Sequence, residues 1–529
     1  MRRSLILALA CASLCGASVA CSALLGLEPP PDGGTEDAGA DSTATDGTTG
    51  SDGAGHDGPS FDGTTTDGGI ETGSDAGLDA PSDAPACLGL DAGDGSTTYY
   101  ALKNGSLPDG GDVFEFYEPD IVNANAHGFI GGTFDGRFLY LAPYDDGTIA
   151  RFDTHATFNS TAAWSFFDAT VLSPDAQGFA GALFDGRFVY MVPQRGSPSS
   201  TTAGVVVRYD TQAGQFTKNG PQWATFDLTT LPVSDAGTLT GFSGGAFDGN
   251  ALYFVPNHAA DTYTSRVVRY EPDAGAVDAG AGTDAATDAG DGGDAGAGDA
   301  APFATASQFT TYDLTAKNNT ASGYRGGVFD GRYVYVVPGY GNQGGSGIVA
   351  RYDTTETFGS SAAWSAFDLT TLSPRAVEFS GAVFDGRFVY LVPQGQGLVA
   401  RFDTSNANAL AHVEAWSTFD LTALVPSDAG APSFAGGAFD GRFVYFVPNG
   451  AGFGTLVRYD TWSTFGSDCA WSSVDLPVSS GNASATNFFG AIYDGQYLYL
   501  VPRGTYVGRF ATKTTSAMPV LPGFSGSFF

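Results

Sequence analysis

Three side chains in this sequence have the types needed to move a proton between them: His127, His258 and Glu378. An imidazole titrates near neutral pH. A carboxylate can take the opposite role, so one cleft holding all three would suit a lyase or a glycoside hydrolase. They stand more than a hundred positions apart and form no local motif. Other chemistry finds little material. No His-x-x-x-His or cysteine pair has metal spacing, so no metal is expected. No glycine-rich phosphate loop and no Gly-x-Ser-x-Gly elbow stands before a helix, so neither a cofactor nor a serine nucleophile is expected. What could position such residues is a repeat.

The stretch Gly436-Gly-Ala-Phe-Asp-Gly-Arg-Phe-Val-Tyr-Phe-Val-Pro448 occurs seven times with small changes. The aromatic before its Asp-Gly falls at Phe134, Phe184, Phe247, Phe329, Phe384, Phe439 and Tyr493. In the fifth copy, Phe379–Phe384 reads as strand A and Asp385-Gly386 as a two-residue turn with φ > 0 at both positions. Arg387–Val392 reads as strand B, ended by Pro393. Leu398–Asp403 is strand C and Trp416–Leu421 strand D. Four short strands repeating on this period make a propeller blade. The strand-D pattern recurs six times, from Trp164 to Trp471, and Phe114–Glu118 supplies a seventh ahead of the first blade. The expected fold is all-β: a seven-bladed β-propeller of four-stranded antiparallel blades, closed by an N-terminal strand clasp that leaves no open edge.

The blade plan resembles that of Kelch-type propellers over about 400 residues. The resemblance implies architecture only, because this chain has Val-Pro where Kelch blades carry a Gly-Gly pair at the end of strand B. The repeated residues are therefore expected to build the blade. The small pair of strand A (Gly131-Gly132 and its equivalents) fits a crowded axis. The strand-C arginines, Arg151 to Arg509, are expected to pair with the strand-D acids. The strand-D tryptophans are expected to fill space between blades.

Function is expected where the repeats differ, on the loops of one end. The residues after the strand-B proline include Tyr144, Gln194, Asn257, Gln394, Asn449 and Arg503. Those at the mouth of strand A include His127, Gln177, Glu378 and Asn487. With His258 and Arg325 they form the candidate binding rim, with Arg325 and Glu378 placed to pair across blades. Such a rim suits a glycan or a peptide. Three readings stay open: a binding or scaffold module, a propeller lyase or glycoside hydrolase, and an envelope protein of purely structural role.

The remaining segments concern export. Residues 1–20 read as a signal peptide, with Arg2 and Arg3 before an apolar run. Ser18-Val-Ala-Cys21 resembles a bacterial lipobox, which implies lipidation of Cys21; Ser22 after it implies the outer membrane or cell surface, and ordinary secretion is the alternative. Residues 21–95 read as an acidic, Asp/Gly-rich disordered tether, too poor in apolar groups to fold. Residues 96–515 hold the propeller, with a disordered insert at 273–305 in blade three and a tail at 516–529. The net charge of −34 sits mostly in the tether and the insert, and no basic patch recommends nucleic acid. Apart from Cys21, the mature chain keeps Cys87 and Cys469, expected to form a disulfide in an exported protein. The only membrane contact expected is through the lipid, and the expected state is a monomer.

Overall fold

The computed structural model describes residues 97–100, 114–197, 204–213, 215–233, 239–259, 262–272, 303–405, 410–425, 432–514 and 516–519. Seven four-stranded antiparallel sheets form the blades of a β-propeller. Blade five runs Phe379–Phe384, Phe388–Pro393, Leu398–Asp403 and Trp416–Asp420, paired in that order. Strand A lies innermost, packed against strand A of each neighbour. In the last blade, Phe114–Tyr117 pairs antiparallel with Val507–Ala511 and so occupies the strand-D position. The described residues of blades three and four add small hairpins to their B–C loops, His258–Ala259 with Thr262–Tyr263 and Tyr340–Gly341 with Gly344–Gly345.

Each repeated residue has a mechanical task, and several differ from the sequence reading. The turn Asp does not take φ > 0; only Gly136 and its equivalents do. The Asp acts through its side chain. Asp385 accepts from the backbone N–H of Arg387 and Phe388, and Tyr390 Oη donates to its other oxygen. That buried Tyr-to-Asp bond recurs in all seven blades at 2.5–2.9 Å. Pro393 remains in strand B, opposite Phe379, after a β-bulge that interrupts strand A. The bulge explains the small pair. Its first member is always Gly because φ is positive there, 66–111°. Crowding bears on the second member where it is Gly: a Cβ on Gly437 would lie 2.1 Å from Tyr445 O, while blades two, five and seven carry Ala there.

The expected pairing of the repeated strand-C arginine with a strand-D acid forms only in the last blade; in blade three a different strand-C arginine, Arg266, reaches the strand-D Asp313. The strand-D acids cap the following turn instead, as Asp368 accepts from Thr370 N. The strand-C arginines lie over the first ring of strand B at 3.9–4.3 Å in six blades. Such cation–π contact suits a guanidinium shielded from water. Arg509 also pairs with Glu115 of the strand that completes the last blade. The recurrent ion pair joins the A–B turn to the end of strand C, in five blades from Arg137–Asp153 to Arg442–Asp460, at 2.6–2.7 Å. The tryptophans do fill space between blades. Phe419 stacks on Trp471 of the next blade at 4.3 Å, and Trp471 Nε1 donates to Phe465 O.

The A–B/C–D end carries the lead-in and the tail. Tyr100 N–H donates to Thr512 O, and Thr514 N–H to Thr98 O. Tyr99 packs on Phe443 and Trp462 of blade six. Phe303 and Ala304, assigned by sequence to the insert, belong to the core; Phe303 meets Tyr190, Phe226 and Tyr270. Cys469 is disulfide-bonded. Cys21 and Cys87 lie outside the described residues, as do the signal peptide and the tether.

Candidate functional site: the B–C/D–A mouth

Strand B delivers its last residue, a proline, to one end of the propeller. The residue after it bonds back to the mouth of strand A, as Asn449 N–H donates to Ser433 O. Most of the polar side chains found there are engaged with a neighbouring blade. Asn449 Nδ2 donates to Phe488 O of the next blade at 3.0 Å, and Asn257 Nδ2 to Tyr324 O at 2.8 Å. Gln194 Nε2 donates to Asn257 Oδ1 at 2.9 Å. Arg503 and Arg195 reach Asp145 from either side, and both guanidinium groups lie over Tyr144. These bonds, with Arg325 to Gln394, link blade six through seven, one, two, three and four to blade five. Buried amides need partners, and neighbouring blades supply them. Asn257 and Asn449 are therefore braces, 2% and 9% exposed.

The cluster on blades seven, one and two borders a small cleft of about 130 Å³, lined by Tyr144, Asp145, Gln177, Gly178, Arg195 and Gly196. Burial alone would raise the Asp145 carboxyl, but hydrogen bonding to Arg503 and the charges of Arg503 and Arg195 hold it below its ordinary value. Arg195 and Arg503 thus share one carboxylate, and the cluster keeps one net positive charge. Gln177 turns back on its own loop and donates to Pro174 O.

The sector on blades three to five differs. Arg325 is the second residue of strand A, at a ring position held elsewhere by Ile130, Ala180, Ser243, Ser380, Ala435 and Phe489. Its Nη1 donates to Gln394 Oε1 at 2.7 Å. Its Nε is buried without a hydrogen-bond partner, as is Ser380 Oγ on the adjoining blade. The expected ion pair with Glu378 does not form; the cation's bond goes to the neutral amide. Glu378 is still near enough, with Tyr263 and Tyr144, for its charge to act on Arg325, whose own pKa burial pushes down. The guanidinium keeps its proton regardless.

Glu378 has φ 59°, at a position where blades one to four place Gly. Among the described residues only Asn487, at the same point in blade seven, is another non-glycine with positive φ. Such a backbone costs on the order of 1 kcal/mol or more. The Glu378 side chain stands beside Gly345: a Cβ there would come within 2.6 Å of it. The two added hairpins form the adjoining wall. Asn342 bonds the backbone of Tyr263 in both directions. Tyr263 packs on Tyr340 and on His258, and Tyr340 is 46% exposed.

No hydrogen bond or ion pair joins His127, His258 and Glu378. His127 stands close to Asp145 and Asp146 in blade one, and His258 packs against Tyr263 in blade three. The longer B–C loops of blades three and four put Tyr263 and Tyr340 on the rim by sequence, but only the structure brings them together beside Arg325.

No family model matches the sequence, and no curated protein matches it. Among solved structures, the chain is similar to a streptogramin B lyase, with a TM-score of 0.46 and 12% identity over 76% of this chain and 97% of that one. It is similar to virginiamycin B lyase from Staphylococcus aureus at 0.46 and 11%, over 75% and 98%. The Swd1 β-propeller domain of Myceliophteria thermophila aligns at 0.42 and 11%, over 73% and 96%. Likeness at this level says nothing of what this chain binds or does.

Proposed function

We propose that this chain is an exported binding module, lipidated at Cys21, whose tether carries a monomeric propeller away from the outer membrane. Its ligand is polar, a glycan or a peptide, taken at the B–C/D–A mouth. The Kelch-like blade plan belongs to the same proposal and brings no functional residue with it. The observation that carries the reading is where repetition fails. Ion pairs recur at the A–B/C–D end, whereas the described residues of the mouth include two added hairpins and an arginine, Arg325, with no ion pair to a carboxylate. Invariant parts of a repeat are explained by folding; a departure held against backbone strain, as at Glu378, points to use.

The test is binding of the mature protein to glycan and peptide arrays, repeated with Tyr340→Ala and with Arg387→Gln at the other end. A ligand lost with the first and kept with the second supports the mouth. A ligand lost only with Arg387→Gln moves the site to the opposite end. Two claims are checked separately: palmitate labelling should vanish in Cys21→Ser, and non-reducing mass mapping should join Cys87 to Cys469.

A further inference from the structure

We propose that Arg325 is the anchor for a ligand carboxylate, and that the ligand is an acidic saccharide whose ring packs on the wall formed by Tyr263 and Tyr340. The inference rests on the mouth being the binding site and names the ligand class it takes. Its first support is charge. Arg195 and Arg503, the other cations on this belt, share Asp145. Six of the seven repeated strand-C arginines lie on the first ring of strand B, and Arg269 pairs with Glu271. Arg325 has neither: among the described residues its guanidinium bonds only the Gln394 amide, and its Nε is unpaired. A buried donor left unmade is costly, and a charged partner gains most from filling it. A guanidinium offers parallel N–H groups in a planar fork that matches a carboxylate.

The second support is the limit on charge. Glu378 acts on the same guanidinium. With Glu378 nearby but not bonded to it, Arg325 has little net positive charge to offer beyond its N–H groups, which disfavours a dianion such as a phosphate monoester more than a monoanionic carboxylate. The third is shape. Tyr340 is exposed and lies 5.7 Å from Tyr263, on hairpins that the described residues of the other blades do not have. An aromatic wall beside a polar anchor suits a pyranose, which presents a C–H face to the ring and hydroxyls to its edge; the flat apolar surface and a few placed polar groups are what a small-ligand site requires.

The experiment is calorimetric titration of the full mature protein with trigalacturonate, its methyl ester, pentaglutamate and inorganic phosphate. Trigalacturonate should bind, and both esterification and Arg325→Gln should weaken it about ten- to hundredfold, the range of a charge-assisted hydrogen bond. Arg325→Lys should recover part of the loss, because it keeps the charge without the fork. Glu378→Gln should tighten binding a fewfold by removing the opposing charge; it also guards against Arg325→Gln being lost to misfolding. Equal binding of acid and ester, or no effect of Arg325→Gln in a protein that melts normally, overturns the proposal. So does tighter binding of pentaglutamate or phosphate with the same dependence on Arg325. A neutral glycan lost in Tyr340→Ala but unaffected at Arg325 would leave the mouth standing and remove only the carboxylate. No ligand at the mouth by either method would remove both.

Discussion

The two ends of the propeller use similar residues for different purposes. At the A–B/C–D end, arginine means the same thing in blade after blade: it pairs with the acid closing strand C. At the mouth, arginine occurs at unrelated positions and in unlike pairings. Arg503 and Arg195 share a carboxylate, while Arg325 meets an amide. A charge repeated with its counter-charge is scaffolding. A charge that appears once, without one, is the feature folding does not explain.

Within the first end, blade six gives the sharpest contrast. Arg387 is 61% exposed in its pair with Asp403, whereas Arg442 is fully buried with Asp460 beneath Tyr99 and Trp462. Removing Arg442 strands a buried carboxylate. Arg442→Ala should therefore cost about 3–5 kcal/mol in urea unfolding, against at most about 1 kcal/mol for Arg387→Ala. Equal losses would mean that the lead-in does not seal this turn. Next in size is the bulge. Gly436→Ala forces a side chain onto a backbone at φ 68° and should cost about 1–3 kcal/mol; a neutral result would show that the small pair answers to crowding alone. At the mouth, Arg325→Gln loses one bond to a neutral amide and should change stability by no more than about 1.5 kcal/mol, although it should abolish most ligand binding. Loss of fold there would return Arg325 to the scaffold.

The smallest difference between the ends is in acid. Hydrogen bonding to Arg375 holds Asp420 at about 2, below its ordinary 3.8. At Asp353 burial acts upward, yet hydrogen bonds from Arg332 and Thr355 also bring it to about 2. A carboxylate depressed in the folded state adds stability above its unfolded value and loses it as pH falls through the folded one. Melting temperature should therefore drop between about pH 4 and pH 2, and Arg375→Gln should flatten part of that drop. An unchanged acid profile in this variant would deny the pair any role.

Much of the fold was legible because a blade is local in sequence. Strands A to D pair with their chain neighbours, so Phe-Asp-Gly, Val-Pro and the strand-D Trp announced them directly. The Asp-to-Tyr bond was legible too, as a spacing of five repeated seven times, but its chemistry was assigned to the backbone. Strand-C arginine was misassigned because an acid and an aromatic ring are both plausible partners until the side chains are placed.

The mouth was a different matter. Seven repeats ending in Val/Ala-Pro identified which positions face it, including Arg325, Glu378 and Gln394. They did not show which of those side chains are engaged. Asn449 bonds a carbonyl 39 residues away, Arg325 an amide 69 away and Arg503 a carboxylate 358 away. Sequence by itself determined the number of blades, their strands and the varied end, since local patterning and turn chemistry suffice for those. Only the tertiary structure decided that Asn257 and Asn449 brace blades, that His127, His258 and Glu378 form no hydrogen-bonded set, and that Arg325 lacks a carboxylate. Each of those facts depends on which blade stands beside which, and closing the ring sets that.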